Sequence, residues 1–540
     1  MRETMPAAAP RLPGATRRAA RPGPGHIALA VLTAAVAVFD LSLARNHLLG
    51  VTGDDSYYLT LAQALATGHG FVVPSLPWTP PETSVPPGFP LLLAPLVALT
   101  STHAEVLRLV PLVFGVAATP LTWAYLRQLG LPFPAPIAGA ALVGFNPILG
   151  LYATIVTPET ACVCALLALL ICVARWSRTE LVSPWGAGAV AAALALFELK
   201  LAAVLLLASL VGYLFLVARR RTRALVLAAA LAVAGLPLLV TRLLSGTSLA
   251  GTTYGADFSN GYGAAHGAAL VLDVLGTALR NLAALLYPTL VETVTGLAPV
   301  PLDGGMRAMA AAAARDGLLA GLSLAMLAGA VLLWRRARDT GTATTAGYLL
   351  LVTIFPIMNT RRVILVLPVV VAWLLVGLVE VYRRMARRAP ARLSPDRWRI
   401  AVAALLAGAV ALPTMGVNVH DWRDYRSDWT VQLLPDRPWI RYLGQEATPT
   451  SLVEVLYPRQ LYLSTGVHAD SSLWLACAEV GRQRSRAPFD EVLSQLRPEF
   501  VVAAGTPLDC VPEMIRGDPE YRQVFSDPAD HVVIWRRGPP

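Results

Sequence analysis

Carboxylates at the ends of hydrophobic segments are the first candidates for chemistry in this chain. Asp54 and Asp55 are adjacent, shortly after the first hydrophobic segment, and Glu159 opens a later one. Neighbouring carboxylates repel each other, so such a pair favours a cation, a solvent-facing turn or a catalytic role. Asp54 and Asp55 could equally cap a helix over 56–66, and Glu159 could simply complement a helix dipole. The residues alone leave these alternatives open.

Cations near other segment ends suggest what the carboxylates would act on. Lys200 is the only lysine, and Arg361 and Arg362 lie on a loop that the topology below places outside, where arginine is disfavoured. Lys200 could simply mark the membrane interface. Together, cations at headgroup level suit a phosphate leaving group. One carboxylate then suffices as general base on an acceptor hydroxyl. A donor activated within the membrane, such as a polyprenyl-phosphate sugar, fits this arrangement.

Several common enzyme signatures are missing. Lys200 is followed by Leu201, so there is no Walker A sequence, and no dinucleotide fingerprint, HExxH or GxSxG occurs. No Cys/His spacing resembles a zinc site. The sequence therefore requires no cofactor, although a bound divalent cation stays possible.

The composition is that of a polytopic membrane protein. The 540 residues are 55% hydrophobic and 14% charged, with a mean hydropathy of +0.57, whereas soluble domains average about 25% charged residues. Apolar blocks of bilayer length predict about eleven transmembrane helices. The predicted spans are 27–45, 104–127, 133–152, 157–174, 184–198, 201–217, 224–242, 316–334, 345–359, 363–382 and 400–418.

Arginine placement predicts the orientation. The net charge is +10, yet residues 421–540 carry 17 acidic and 13 basic side chains, which leaves about +14 on the first 420. These cations cluster in short loops, as in cytoplasmic loops, so nucleic acid is not an expected partner. The basic tail 1–26 is predicted to stay in the cytoplasm. An odd number of spans in the cytoplasmic membrane then places the C-terminal domain outside.

Three regions follow from this topology. The tail 1–26 precedes a transmembrane domain over 27–420, whose long outer loops are 45–103 and 245–315. The second loop is expected to hold amphipathic helices on the membrane surface. Residues 421–540 alternate β-type runs with helical ones, which predicts a small extracytoplasmic α/β domain. Its predicted strands are 451–456, 500–504 and 531–535, and its predicted helices are 439–444 and 489–496.

The C-terminal region contains two cysteines, Cys477 and Cys510. In an oxidising compartment they either pair or stay as free thiols, and a bridge closing this loop would contribute roughly 3–4 kcal/mol.

The candidate residues resemble those of the GT-C membrane glycosyltransferases, especially the family 39-like group related to protein O-mannosyltransferases and lipid A aminoarabinose transferases. The matching segments are Asp54-Asp55-Ser-Tyr57-Tyr58, Pro86-Pro87-Gly88-Phe89-Pro90, Pro158-Glu159, Lys200, and Arg361 with Pro368. Arg362 stands where the family has tyrosine, and Leu365 stands where it has a first proline.

The resemblance implies an inverting glycosyltransferase that moves a sugar from a polyprenyl-phosphate donor to an extracytoplasmic glycan, lipid or protein. Asp54 would be the general base, and Asp55 would orient it or the acceptor, or help to hold a divalent ion. Three cations would bind the donor phosphate. Those cations would be Lys200, Arg361 and Arg362, with supporting roles for Glu159, Tyr57, Tyr58 and His69. The alternative is a non-catalytic transporter or a scaffold that presents the C-terminal domain. A transporter usually shows mid-span charges and repeated halves.

Overall fold

The structure is a computed structural model, and its helical part is described over six stretches. These are residues 24–44, 53–100, 104–245, 268–295, 305–355 except 338, and 360–386. In the C-terminal region the described residues are 437–448, 450–455, 458–473, 476, 486–504, 511–528 and 531–538. Cys477, Cys510 and the predicted span 400–418 lie outside the described residues.

Most of the first part is a bundle of apolar helices. Its helices, numbered along the chain, are α1 Pro24–Ala44, α2 Gly53–Ala66, α3 Gly88–Thr100, α4 Ala104–Leu107, α5 Leu109–Gln128, α6 Ala135–Gly144, α7 Pro147–Thr154, α8 Glu159–Trp176, α9 Pro184–Leu199, α10 Ala203–Gly212, α11 Arg221–Ser245, α12 Ala268–Ala284, α13 Leu290–Thr295, α14 Gly305–Ala337, α15 Thr340–Val352, α16 Thr360–Ile364 and α17 Leu367–Ala386. Helix α8 lies in the centre, with most of its side chains buried. Side chains of α1 and α11, by contrast, expose apolar surface as expected beside lipid.

The predicted class, a polytopic helical membrane protein with a small C-terminal sheet domain, is confirmed, but the count of about eleven spans is not. By length and composition, six helices among the described residues could cross a membrane, or seven if the bent pair α6–α7 is one span. Helix α9 and the helix that begins at Ala203 are apolar but shorter. The predicted spans 184–198 and 201–217 therefore coincide with apolar helices of only 10–17 residues.

Helices α12 and α13 lie within the segment predicted to be an outer loop. Together they are long and apolar enough to cross a membrane, over Ala269–Thr295. The side chains of Val271, Leu272, Leu275 and Leu279 form an exposed apolar face on α12, as the predicted amphipathic helices would. The sequence analysis gave this segment no span; Asp273 and Arg280 interrupt its hydrophobic run.

Two side-chain amides, of which Asn146 is buried, hold α12 and α13 against the bundle. The Asn146 amide donates to the Thr293 carbonyl at 2.7 Å, while its oxygen accepts from the first amides of α7. The Asn281 amide donates to the carbonyls of Thr353 and Phe355, both at 2.7 Å. The second contact fixes the chain just before α16, which carries Arg361.

The segment between α2 and α3, here called the Pro-rich loop (67–87), is tightly held. Val73 donates its backbone N–H to Pro80 O at 2.9 Å, and Glu82 donates to Phe71 O at 3.0 Å. The Tyr57 hydroxyl donates to the Glu82 carboxylate, and Arg242 Nε donates to Thr83 O at 3.0 Å. The loop is thus anchored to both α2 and α11.

The C-terminal region forms the predicted α/β domain. Its elements are α18 Pro438–Glu446, β1 Leu452–Glu454, α19 Pro458–Thr465, β2 His468–Asp470, α20 Ala487–Leu496, β3 Phe500–Ala504, α21 Val511–Arg516, β4 Tyr521–Asp527 and β5 Val532–Arg537. The five strands lie in the order β2-β1-β3-β5-β4. Strands β1, β2 and β3 are parallel, whereas β5 pairs antiparallel with both β3 and β4. Apolar side chains cover both faces of the sheet.

This domain contacts the Pro-rich loop and α2 directly. Ala469 on the edge strand β2 donates its backbone N–H to Ser75 O at 2.8 Å. The Arg459 guanidinium lies 3.7 Å from the centre of the Tyr57 ring, close enough for a cation–π contact. The Pro-rich loop therefore connects the sheet domain to the helical bundle.

Candidate functional site

Four residues that are distant in sequence meet in one ionic network. Glu159 Oε1 accepts hydrogen bonds from Lys200 Nζ at 2.6 Å and from Arg361 Nε at 2.5 Å. A second nitrogen of Arg361 binds the Asp54 carboxylate. Two cations and two carboxylates thus form a continuous chain of charge-assisted hydrogen bonds.

Each member of the network stands at the end of a helix or in a short one. Asp54 lies in the first turn of α2, and Glu159 begins α8, so both carboxylates are near the positive end of a helix. Lys200 caps the C-terminus of α9 in extended conformation. Arg361 belongs to the five-residue helix α16. The four charged side chains thus lie where the ends of α2, α8 and α9 meet the short helix α16.

Exposure increases along the network. The side chain of Glu159 is fully buried and that of Lys200 is 9% exposed, whereas Arg361 is 31% and Asp54 45% exposed. Isolated charges are costly in a protein interior, so the inner pair depends on mutual neutralisation. Glu159 is therefore the buried partner of two cations, and Asp54 is the carboxylate of the network that is exposed to solvent.

A cavity of about 160 Å³ opens over the network. Its lining includes Asp54, Tyr57, Tyr58, Lys200, Arg361 and Arg362, together with Ser84, Val85 and Pro86 of the Pro-rich loop and Tyr348. Six of the residues predicted from the sequence are therefore brought to one place. Small-molecule sites usually measure about 300–1,000 Å³, so the cavity is small as it stands.

Other predicted residues lie outside this cavity. Asp55 is fully buried, and its Oδ1 accepts from the Ser56 backbone N–H at 2.8 Å. His69 is exposed near the end of α2, where its Nδ1 is 2.7 Å from Thr67 Oγ1. Glu159 lies beneath the cavity and acts through the two cations. The structure thus separates Asp54, which faces the cavity, from Asp55, which faces the protein interior.

The sequence analysis missed several residues around the site. The Tyr348 hydroxyl donates to Arg362 O at 2.8 Å, and Arg361 lies 5.9 Å from the centre of the Tyr152 ring. Burial, then the neighbouring Glu82 carboxylate, raise the pKa of Tyr57, so its phenol stays a hydrogen-bond donor. Glu82 had a usable signal, since it is an acidic residue in a Pro-rich segment. Arg459 had none.

Metal binding was left open by the sequence. Among the residues that the structure describes, no three His, Cys, Asp or Glu side chains form a group able to hold a metal ion.

A glycine allows α3 to approach the end of α9. A Cβ added at Gly88 would lie 2.6 Å from the carbonyl oxygen of Glu198, two residues before Lys200. We expect Gly88→Ala to displace either α3 or Lys200, because such overpacking typically costs about 1–3 kcal/mol. The expected result is a lower melting temperature in detergent, measured by differential scanning fluorimetry. Gly212→Ala is the control, since a Cβ there meets no atom within 4 Å. Equal melting temperatures for the two variants would contradict the prediction.

Comparisons with known proteins agree with this description. Residues 84–244 match the family model described as dolichyl-phosphate-mannose-protein mannosyltransferase. The crystal structure of ArnT from Cupriavidus metallidurans bound to undecaprenyl phosphate has a TM-score of 0.56 at 15% identity, covering 95% of this chain and 99% of that one. The apo form of the same ArnT gives a TM-score of 0.55 at 15% identity, covering 95% and 100%. Comparison with curated protein sequences gave no match.

The fold is similar to that of ArnT over nearly the whole chain, and the family match over residues 84–244 agrees with the GT-C resemblance noted in the sequence. The chain is accordingly a multi-pass membrane protein with an ArnT-like arrangement of helices and a small C-terminal sheet. The matched segment contains Glu159 and Lys200, whereas Asp54 and Arg361 lie outside it.

Proposed function

We propose that the protein transfers a sugar from a polyprenyl-phosphate donor to an acceptor outside the cytoplasmic membrane. The observation that carries this proposal is the convergence of Asp54, Lys200 and Arg361 on one cavity, with Glu159 beneath it. ArnT, whose fold is similar, was crystallised with undecaprenyl phosphate. In this proposal the N-terminus is cytoplasmic and the cavity opens on the outer side.

The cations suit the donor phosphate. Arg361 presents a planar guanidinium and Lys200 a compact ammonium, and both line the cavity. Together with Arg362 they would hold the phosphate oxygens and stabilise the charge that develops as the phosphate leaves. Because this leaving group needs no proton, the site requires no general acid.

Asp54 is then the general base. The acceptor hydroxyl oxygen attacks the anomeric carbon, and its proton passes to the Asp54 carboxylate. The new glycosidic bond forms as the bond from the anomeric carbon to the phosphate oxygen breaks, so polyprenyl phosphate departs. Attack from the face opposite the phosphate inverts the anomeric configuration. Asp55, buried behind Asp54, orients the start of α2.

Donor binding must compete with the existing ion pair. Arg361 is bonded to Asp54, and both residues line the small cavity. An arriving phosphate would take over the guanidinium from Asp54, which enlarges the cavity and frees the carboxylate to accept a proton. Glu159 keeps Arg361 in place during this exchange, since it binds a different nitrogen of the same guanidinium.

A direct transfer assay tests the proposal. The purified full-length protein is incubated with radiolabelled polyprenyl-phosphate hexoses and pentoses, with and without an extract of cell-envelope glycans. We expect acceptor-dependent release of free polyprenyl phosphate, and NMR of the product should show the inverted anomer. A protein that consumes none of these donors and purifies without any polyprenyl lipid would contradict the proposal.

A further inference from the structure

A second cavity lies between the Pro-rich loop and the C-terminal sheet. Its volume is about 560 Å³, within the range of about 300–1,000 Å³ typical of ligand sites. Pro77 and Trp78 line it from the loop. The sheet domain contributes the remaining lining residues, which are Thr450, Ser451, Leu452, Leu496, Arg497, Glu499, Arg522, Arg536, Arg537 and Gly538. We call this cavity the arginine cleft.

Positive charge dominates the arginine cleft, which contains four arginines and a single glutamate. The glutamate is already engaged, because Glu499 Oε1 accepts from Arg536 at 2.9 Å. Among the described residues, no carboxylate lies within ion-pair distance of Arg497, Arg522 or Arg537. Arg537 donates one hydrogen bond to the Arg497 carbonyl oxygen, but the charges of these three guanidinium groups have no carboxylate contact among the described residues.

The pairing of β4 with β5 brings two of the four arginines together. Arg522 on β4 is directly opposite Arg536 on β5. Like charges at directly opposite positions of antiparallel strands repel each other. Arg536 already contacts the carboxylates of Glu446 at 3.3 Å and Glu499 at 2.9 Å. Arg522 is therefore the member of this pair that an anion would bind, and guanidinium groups bind carboxylate or phosphate oxygens in pairs.

Trp78 gives the arginine cleft an aromatic wall. Its side chain is 54% exposed, at the tip of the Pro-rich loop. The tip is fixed on both sides, since Thr79 N donates to Leu76 O at 3.0 Å and Ala469 N donates to Ser75 O at 2.8 Å. A large, rigid and exposed aromatic face beside hydrogen-bonding groups is suited to stack on the apolar face of a sugar ring.

We propose that the arginine cleft binds an anionic saccharide, one that carries carboxylate or phosphate groups, and that this saccharide belongs to the acceptor. The identification as acceptor rests on the proposed function. The Pro-rich loop contributes Trp78 to this cleft and Ser84, Val85 and Pro86 to the cavity over Asp54. One loop thus borders both cavities, which is the observation that relates the arginine cleft to the cavity over Asp54.

A binding assay on the full-length protein in nanodiscs of neutral phosphatidylcholine tests this proposal without requiring transfer. The probes are trigalacturonate, neutral maltotriose and sn-glycerol 3-phosphate, and the readout is the Kd from isothermal titration. We expect saturable binding of trigalacturonate. Trp78→Ala and Arg522→Gln should each weaken it about tenfold, as expected for loss of a stacking or charge-assisted contact. Arg516→Gln, an exposed arginine of α21 outside the cleft, should leave it unchanged.

Two controls separate the possible failures. Asp54→Asn should bind trigalacturonate as the unaltered protein does, although it loses transfer. An unaltered protein that binds trigalacturonate and transfers no sugar would count against the proposed function alone. Maltotriose binding as tight as trigalacturonate binding, or equal effects of Arg522→Gln and Arg516→Gln, would overturn the cleft proposal. Tight binding of glycerol phosphate that is insensitive to Trp78→Ala would overturn it in favour of a lipid headgroup.

Discussion

Asp54→Asn is expected to reduce sugar transfer by about 10²–10⁴-fold, the usual contribution of a general base. The amide keeps the size of the carboxylate but cannot accept the acceptor's proton. It also removes the negative charge that holds one side of Arg361. Donor phosphate then meets less competition for the guanidinium, so donor binding should be as tight as before or tighter. Single-turnover transfer and the Kd for labelled polyprenyl phosphate measure the two effects separately.

Asp273→Asn is the matched control for this variant, because it neutralises an exposed carboxylate of α12 outside the cavity. Its transfer rate should equal that of the unaltered protein. If Asp54→Asn retained full transfer, Asp54 would not be the base. If transfer and donor binding were lost together, the Asp54–Arg361 pair would have a structural role instead.

The sequence was sufficient to find the charged members of the site because their signal is local. A carboxylate or cation at the end of an apolar segment can be recognised from the sequence alone, as at Glu159 and Lys200. The sheet domain was predictable for a similar reason. The predicted strand 500–504 coincides with β3, because a short apolar run that contains β-branched and aromatic residues favours a strand.

The partners of these residues could not be predicted, because they depend on tertiary contacts. Arg361 and Asp54 are 307 positions apart, and nothing in either segment specifies the other. The contact of Arg459 with Tyr57 likewise requires the sheet domain to dock on α2. Asp54 and Asp55 were equivalent in the sequence, whereas the helical turn directs one to the cavity and the other inward.

The buried anchor Glu159 gives the second large expected effect. Lys200 is nearly buried, and Glu159 is the one carboxylate that contacts it among the residues that the structure describes, so Glu159→Gln leaves Lys200 without an ionic partner. Removing one partner of a buried ion pair typically costs about 3–5 kcal/mol, so we expect a markedly lower midpoint in chemical unfolding. Transfer should also fall, by at least about tenfold, because Arg361 keeps only its contact with Asp54 and its guanidinium is no longer fixed from two sides.

A second substitution distinguishes folding from function at this anchor. Lys200→Gln added to Glu159→Gln removes both charges of the inner pair, so no uncompensated charge of that pair stays buried, and such a charge is the main cost of breaking a buried ion pair. The double variant should therefore unfold near the original midpoint, yet its transfer should stay low because a donor-binding cation is missing. A double variant that regained both stability and transfer would show that Lys200 serves only to neutralise Glu159. One that regained neither would mean that the cost arises from lost packing rather than from the uncompensated charge.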